Sequence, residues 1–239
     1  MPPFLNRSLR VVLPRFRHLV LWFNAFELRY FEQSLFHDFG VECPTLLTGA
    51  VPKRKAEYFA GRLAARRALQ FLGCKTLALP IGEHRLPQWP SGYRGSISHT
   101  RALAVSAVCH QEHYQAVGID TEIVFTADQC TRLTSAIVSE AEWNDVIRGG
   151  CTLAHPQLVT LIFSAKEALY KALFPHTLLF QNFSAARLTW ICEKTAQFQI
   201  ELTCEWSGGY RTGSHFTGWF RFFDHTVVTV IADGPPPAH

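Results

Sequence analysis

The stretch Phe163-Ser164-Ala165-Lys166-Glu167-Ala168-Leu169-Tyr170-Lys171-Ala172-Leu173 is an uninterrupted run of residues that favour a helix, and Pro156 before it suits a first helical turn. A second row of the helix carries Glu167 among aromatic residues, where a carboxylate needs a partner. Aliphatic residues recur at steps of three and four and predict one inward face: Leu158, Leu161, Ile162, Ala165, Leu169, Ala172 and Leu173.

Glu167 has three interpretations. Ser164 and Glu167 have the spacing of a capping box, although the apolar pattern begins two turns before Ser164. Glu167 and Lys171 have the spacing of a surface ion pair, which is worth about 0.2 to 0.5 kcal/mol. In the third interpretation, Glu167 helps to hold a cation while Lys166 and Lys171 face an anionic ligand. The third interpretation requires further oxygen ligands elsewhere in the chain.

Length and composition predict a globular protein with one large domain or two small ones. The chain has 239 residues, of which 48% are hydrophobic and 18% charged. A net charge of +4 suits an anionic ligand or an acidic partner, but it is too small to indicate a dedicated nucleic-acid binder. The 7 cysteines form no C-x-x-C pair, a pattern typical of reduced cytosolic thiols. No apolar run is long enough for a transmembrane segment, so we expect a cytoplasmic protein, with peripheral association with a membrane left open.

The first half of the chain contains a basic helix and a turn-rich loop. The segment from Val11 to Phe26 predicts one or two strands. Lys53 to Leu69 predicts an amphipathic helix whose cations point mostly outward, as a solvated face or as a binding surface. The loop from Ile81 to Ser98 combines glycines, prolines and arginines, a composition that can wrap phosphate. Ser98 and His99 are then predicted to lie in a turn before a buried strand.

The second half opens with an acidic strand, Val117 to Ile123. Its alternation places Asp120 and Glu122 on one face, where two like charges repel unless a positive charge lies between them. A solvated surface strand is the simpler interpretation. Together with Glu167, however, the two acids make three carboxylates, the oxygen ligands that Mg²⁺ prefers.

The remaining segments predict the secondary structure around these motifs. Capping-box spacing at Thr126 with Gln129, and at Ser139 with Glu142, predicts two short helices before the long one. Four later segments predict antiparallel strands: Leu188 to Ile191, Phe198 to Leu202, Trp219 to Phe223 and Val227 to Ile231.

Three motifs, taken in order, resemble the two-lobed class of 4′-phosphopantetheinyl transferases, which activates siderophore, polyketide and peptide synthases. They are Ser96-Ile97-Ser98-His99, Gly118-Ile119-Asp120-Thr121-Glu122, and the run from Phe163 to Lys171. The basic helix and the loop from Arg85 to Pro90 are further similar to the subgroup of enterobactin synthase component D. The resemblance covers residues 50 to 175.

The resemblance implies an α+β fold of two similar lobes related by a pseudo-twofold axis, each a small antiparallel sheet packed on a long helix. Coenzyme A and Mg²⁺, for which Mn²⁺ can substitute, would lie in the cleft between the lobes. The expected domains are an N-terminal lobe, 1–113, with contacts to the coenzyme A phosphates, and a C-terminal lobe, 114–233, with the metal site and the catalytic helix. Residues 234–239 are expected to form a disordered tail.

The resemblance also implies a role for each motif residue. Asp120, Glu122 and Glu167 match metal ligands, and Glu167 and Lys171 match catalytic residues. The residues that match contacts to coenzyme A are Lys53, Arg62, Arg85, Ser98, His99, Asp120, Lys166 and Lys171.

The implied reaction moves phosphopantetheine from coenzyme A to a serine of an apo carrier protein and releases adenosine 3′,5′-bisphosphate. The expected enzyme is a monomer that acts on acyl, aryl or peptidyl carriers, within or outside a siderophore synthase complex, and does not bind nucleic acid. Two alternatives are a Mg²⁺-dependent nuclease or other phosphodiester-cleaving enzyme, and a non-enzymatic module whose charges are surface pairs.

Overall fold

The computed structural model describes residues 3–234, and these divide into two compact units. The first unit contains the residues up to Val117 together with Gly234, and the second unit is Gly118–Asp233. Of the predicted tail, residues 235–239 lie outside the described residues.

The first unit is built on a four-stranded antiparallel sheet. Its strands are β1 (Leu5–Val11), β2 (Val20–Phe26), β3 (Tyr93–His99) and β4 (Leu103–His110). Their spatial order is β1-β2-β4-β3. The prediction of strand structure between Val11 and Phe26 is therefore only partly right, because β1 begins earlier and a turn around Pro14 separates it from β2.

Two helices accompany this sheet, α1 (Ser34–Asp38) and α2 (Pro52–Phe71). Helix α2 confirms the predicted basic helix and packs on β2, β3 and β4. At Gly61 a Cβ atom would come within 2.9 Å of Ile97 Cγ2, so the glycine permits close approach to β3. The predicted outward direction of the cations is wrong for Arg62, which is buried in the same face as Phe59 and Leu63.

The second unit contains a five-stranded sheet. Its strands are β5 (Ala116–Ile123, which begins in the first unit), β6 (Ala186–Cys192), β7 (Gln197–Leu202), β8 (His215–Phe223) and β9 (Thr226–Asp233). Their spatial order is β5-β9-β8-β7-β6. This confirms all four strands predicted after residue 186, and the two sheets with their long helices confirm the α+β class.

Three helices belong to the second unit: α3 (Ala127–Ile137), α4 (Glu140–Arg148) and α5 (His155–Thr177). Both predicted capping boxes are present, at Thr126 with Gln129 and at Ser139 with Glu142. Helix α5 packs on β9. The seven aliphatic residues of its predicted inward face are all essentially inaccessible to solvent, which confirms that prediction.

No helix within residues 3–234 has both the length and the apolar character that crossing a lipid bilayer requires.

The close packing of β5 on α5 depends on Gly118. A Cβ atom at this position would overlap the carbonyl oxygen of Ala168 and lie 2.8 Å from the backbone nitrogen of Ala172. Both obstacles are helix backbone, which cannot rotate away. We therefore expect Gly118→Ala to lower the free energy of unfolding by about 3 kcal/mol, the upper end of the usual cost of overpacking. Chemical denaturation measures this change.

The matched control is Gly49→Ala, because nothing lies within 4 Å of a Cβ atom built at Gly49. This variant should unfold like the wild type. Equal stability of the two variants would contradict the role assigned to Gly118.

Candidate active site

Asp120 is the buried centre of the acidic strand, with 2% of its surface exposed. Its Oδ2 accepts a hydrogen bond of 2.8 Å from Ser164 Oγ, and its Oδ1 lies 2.6 Å from Lys171 Nζ. Ser164 and Lys171 both belong to α5. The carboxylate therefore ties β5 to two points of the long helix that lie about two turns apart.

Ser164 lies in the middle of α5, not at its start. The helix begins at His155, and Ser164 is completely buried. Besides its bond to Asp120, its backbone oxygen accepts a 2.9 Å hydrogen bond from Thr229 Oγ1 on β9. The capping-box interpretation of Ser164 and Glu167 is therefore wrong. In the second interpretation Lys171 pairs with Glu167 on the surface; its ammonium in fact contacts the buried Asp120, while its charge still acts on Glu167.

Glu122 and Glu167 share the electrostatic environment of Asp120. The pKa of Glu122 is raised to about 7, first by burial and then by the charges of Asp120 and Glu167, against the opposing effect of Lys171. The pKa of Glu167 is also raised, first by burial and then by Asp120, again opposed by Lys171. The three carboxylates therefore repel one another, and the Lys171 ammonium offsets part of that repulsion.

These residues fit a hard cation by the chemistry of their donors. As the side chains stand, residues 3–234 contain no group of three or more His, Cys, Asp or Glu side chains already arranged around a metal position. Carboxylate oxygens are nevertheless the ligands that Mg²⁺ prefers. Burial and, after it, repulsion from Asp120 raise the pKa values of Glu122 and Glu167, and the positive charge of a divalent ion would offset both effects.

Lys166 points away from Glu167 into the interior. Its Nζ lies 2.7 Å from Glu142 Oε2 and donates hydrogen bonds to the backbone oxygens of Ile137 and Phe183, at 2.7 and 2.9 Å. These contacts use all three protons of the ammonium group. Lys166 therefore has no proton left to donate to coenzyme A, contrary to the prediction. Sequence spacing missed this role because its partners lie in distant segments of the chain.

Glu167 also lines a cavity of about 340 Å³ with aromatic walls. Trp206 forms part of this wall; it is 3% exposed, and its indole Nε1 has no hydrogen-bond partner. Phe180, by contrast, is 83% exposed. The other aromatic lining residues are Tyr170 and Phe183. Neither Phe180 nor Trp206 stands out in the sequence, since an isolated aromatic residue is usually part of the core.

The first unit has a separate cavity of about 390 Å³. Four of its lining residues carry cationic or titratable nitrogen groups: Arg54, Arg62, Arg85 and His99. Much of the remaining wall is apolar and includes Leu46, Leu47, Ile81, Pro87 and Ile97. Apolar walls with a few convergent polar groups are typical of a small-molecule site, and the cations predict an anionic ligand.

Arg62 offers the cavity a buried guanidinium group that suits an anionic ligand. It is 7% exposed, its guanidinium carbon lies 5.0 Å from the centre of the Tyr58 ring, and its Nη1 has no hydrogen-bond partner. A buried, charged N–H group without an acceptor is costly. An anion in the cavity would supply that acceptor.

Of the other first-unit residues that were predicted to contact coenzyme A, some line the cavity and some do not. Arg85 and His99 line the cavity, but Ser98 and Lys53 are not among its lining residues. The side chain of Lys53 is 61% exposed. Arg54 lines the wall instead, and its Nη1 lies 3.4 Å from His99 Nε2. The basic run of the sequence predicts that α2 contributes cations to a binding site. It does not show which of the neighbouring positions, Lys53 or Arg54, lines the cavity.

The backbone near this cavity has two features that the sequence did not predict, at the end of β3 and at Arg85. Ser98 and His99 end strand β3 and do not lie in the turn that follows, so that prediction is wrong. The pairing of His99 with Ala104 of β4 explains their extended backbone. Arg85 has a φ of 62°, a left-handed conformation uncommon outside glycine. This strained turn places its side chain at the cavity.

Two family models match the chain in succession. Residues 44–109 match the 4′-phosphopantetheinyl transferase N-terminal domain, and residues 116–219 match the 4′-phosphopantetheinyl transferase superfamily. Individual relatives agree. Enterobactin synthase component D of Salmonella typhimurium is 33% identical over 186 residues, which are 78% of this chain and 75% of the relative.

Two further relatives extend the comparison. The component D protein of Escherichia coli O157:H7 is 43% identical over 120 residues, 50% of this chain and 55% of the relative. The 4′-phosphopantetheinyl transferase Npt of Nocardia iowensis is 33% identical over 195 residues, 78% of this chain and 86% of the relative. The chain therefore belongs to the 4′-phosphopantetheinyl transferase superfamily, enzymes that transfer phosphopantetheine from coenzyme A to carrier proteins.

Proposed function

We propose that this transferase modifies apo carrier proteins of siderophore synthesis and that it depends on Mg²⁺. The pathway is suggested by relatives named enterobactin synthase component D. The observation that carries the metal dependence is the set of three mutually repelling carboxylates beside one lysine. Because the chain belongs to the transferase family, the two alternative functions, a nuclease and a non-enzymatic module, are excluded.

The acceptor serine needs a base to take its proton. We assign this role to Glu167, because its carboxylate stands beside Asp120 and Lys171 at the proposed metal site, and carboxylates serve as general bases. In the proposed step, the serine oxygen forms a bond to the phosphorus that bears pantetheine. The bond from that phosphorus to the bridging oxygen breaks, and adenosine 3′,5′-bisphosphate leaves. The serine proton passes to a Glu167 carboxylate oxygen.

Asp120, Glu122 and Glu167 are the proposed ligands of Mg²⁺, for which Mn²⁺ would serve as well. When bound, the ion supplies positive charge for the pyrophosphate and for the negative charge that develops during transfer. Lys171 supplies a further positive charge on the same side of α5, where its ammonium lies 2.6 Å from Asp120. We propose that it stabilises the departing phosphate.

The cationic cavity of the first unit is proposed to bind the nucleotide part of coenzyme A. Arg62 offers a buried N–H group without an acceptor, and Arg54, Arg85 and His99 line the same cavity. Lys53 adds positive charge from its exposed position, and Ser98 precedes His99 in β3. Phosphate groups satisfy such donors well.

Incubation with coenzyme A, Mg²⁺ and apo carrier proteins from siderophore, polyketide and fatty-acid systems tests the proposal. Mass spectrometry should show one added phosphopantetheine group, fastest on the siderophore carrier. Chelation of the metal should stop the reaction, and Mg²⁺ should restore it. Transfer that persists in the chelator would contradict the metal dependence, and faster modification of another carrier would contradict the pathway.

Replacing the proposed base should separate binding from turnover. Glu167→Gln keeps the shape but removes the basic oxygen, so we expect kcat to fall by about 10² or more. Single-turnover transfer at saturating Mg²⁺ measures this. Glu140→Gln, an exposed position at the start of α4, is the matched control and should retain wild-type turnover. Wild-type turnover in a folded Glu167→Gln protein would rule out the catalytic role.

Metal binding should be visible in stability without any turnover. At free Mg²⁺ about 100 times Kd, the folded wild type should gain about 2.7 kcal/mol against unfolding. Glu122→Gln removes one proposed ligand and should gain much less, whereas Glu140→Gln should gain as much as the wild type. Denaturant unfolding at several Mg²⁺ concentrations measures these gains. An equal gain in all three proteins would remove Glu122 from the site.

Removing the buried guanidinium should weaken coenzyme A binding selectively. We expect Arg62→Ala to raise the KM for coenzyme A about tenfold or more, since a charge-assisted hydrogen bond contributes about 1.5 to 3 kcal/mol. The KM for the carrier should change much less. Arg15→Ala, at an exposed position of the same unit, controls for the general loss of charge. Equal increases in both KM values would contradict the assignment of this cavity to coenzyme A.

A further inference from the structure

A chain of buried hydroxyl groups ends on Asp120. Thr229 on β9 and Ser164 on α5 are both completely buried, and Asp120 on β5 is nearly so. Ser164 Oγ lies 2.8 Å from Asp120 Oδ2 and 2.9 Å from Thr229 Oγ1. Thr229 Oγ1 also lies 2.9 Å from the backbone oxygen of Ser164. Three separate elements of the second unit therefore meet at one carboxylate.

The donors of this chain point toward the carboxylate. A carboxylate accepts hydrogen bonds and donates none, so the single proton of the Ser164 hydroxyl is directed to Asp120. Ser164 Oγ can then only accept in its contact with Thr229, whose one proton is shared between two oxygens of Ser164. Thr229 therefore fixes the hydroxyl of Ser164, and Ser164 fixes the carboxylate of Asp120.

The composition of β9 shows that packing alone does not explain Thr229. It lies in the run Val227-Val228-Thr229-Val230-Ile231, whose other four side chains are aliphatic and buried. Valine has nearly the shape of threonine, and it would pack at position 229 without a polar group that has to be satisfied. The hydroxyl is explained instead by its bonds to Ser164.

The chain also fixes Asp120 relative to the other two acids of the site. Asp120 shares strand β5 with Glu122. Ser164 lies one turn before Glu167 on α5. One oxygen of Asp120 meets Ser164 and the other meets Lys171, so the carboxylate cannot turn about its last bond without losing a contact. The bond from Ser164 therefore sets the orientation of Asp120 toward both elements that carry the remaining carboxylates.

We propose that Ser164 and Thr229 are positioning residues that hold Asp120 in the orientation in which it binds the cation. This inference rests on the proposed Mg²⁺ dependence of the transferase. Hydrogen bonds to a metal ligand orient it before the ion arrives, so less ordering is required on binding. Neither hydroxyl contacts the ion in this scheme, because each acts through Asp120.

Calorimetric titration with Mg²⁺ alone, without a carrier protein, tests the metal site without turnover. Ser164→Ala removes the hydroxyl that bonds to Asp120. It should weaken Mg²⁺ binding about tenfold or more, the usual loss for a group that orients a metal ligand. Thr229→Val keeps the shape of the side chain and should weaken binding less. The double variant should bind no more weakly than Ser164→Ala, because Thr229 acts through Ser164.

Two further measurements separate orientation from stability. Thr229→Ser keeps the hydroxyl and loses only a methyl group, so it should bind Mg²⁺ like the wild type even where it unfolds more easily. In transfer assays, the Mg²⁺ concentration for the half-maximal rate should rise in Ser164→Ala by a larger factor than the rate at saturating Mg²⁺ falls.

Thr160→Val is the matched control. Thr160 is completely buried on α5, one turn before Ser164. Its hydroxyl accepts a 2.9 Å hydrogen bond from the backbone nitrogen of Phe125 and donates a 2.6 Å bond to the backbone oxygen of Pro156. Its loss should lower the free energy of unfolding in metal-free buffer but leave the Mg²⁺ affinity unchanged. An equal loss of affinity in Thr160→Val and Ser164→Ala would reduce the effect to packing and overturn the inference.

The remaining outcomes distinguish this inference from the metal site on which it rests. Wild-type Mg²⁺ affinity in a folded Ser164→Ala or Thr229→Val protein would overturn the inference and leave the metal site in place. If the wild type binds no Mg²⁺, or if Asp120→Asn binds it as tightly as the wild type, the proposed metal site fails and the inference falls with it. Thr229→Val decides the matter where Ser164→Ala does not fold.

Discussion

The ion pair between Asp120 and Lys171 is the interaction on which the second unit depends. It joins the acidic strand to the long helix through a 2.6 Å contact, and the Ser164 hydroxyl adds a second bond to the same carboxylate. Gly118 lets the two backbones approach closely, which brings the short side chains of Asp120 and Ser164 within hydrogen-bond distance. Packing and chemistry are therefore inseparable here, because the group that holds β5 on α5 also sets the charge of the proposed metal site.

The sequence predicted the parts of this site that follow from local pattern. Helical periodicity found the inward face of α5, and strand alternation placed Asp120 and Glu122 together, since both patterns depend only on neighbouring residues. Partners distant in the chain could not be found in this way. The inward direction of Lys166 depends on Glu142, 24 residues earlier, and that of Arg62 on how α2 packs against its sheet. The end of β3 was misplaced because the pairing of His99 with β4 is a tertiary contact.

The two candidate sites concentrate charges of opposite sign. In the second unit, three carboxylates share one ammonium group, so the unfavourable negative charge is available for a cation. In the first unit, three arginines and a histidine share one buried carboxylate, so the cavity keeps positive charge for an anion. In both places a residue of the opposite charge, Lys171 or Glu57, limits the repulsion among its neighbours. Each fold unit thus keeps one charge sign in excess without leaving it wholly uncompensated.

The buried pair of Glu142 and Lys166 constrains how this protein can change over evolutionary time. Both side chains are almost wholly inaccessible to water, and their charges are satisfied chiefly by each other. Losing either partner alone would leave an uncompensated buried charge at a cost of about 3 to 5 kcal/mol, whereas replacing both with apolar residues of similar volume is often neutral. A single substitution at position 142 or 166 is therefore rarely tolerated. Among relatives, positions 142 and 166 should covary, appearing either as the acid and base together or as two apolar residues.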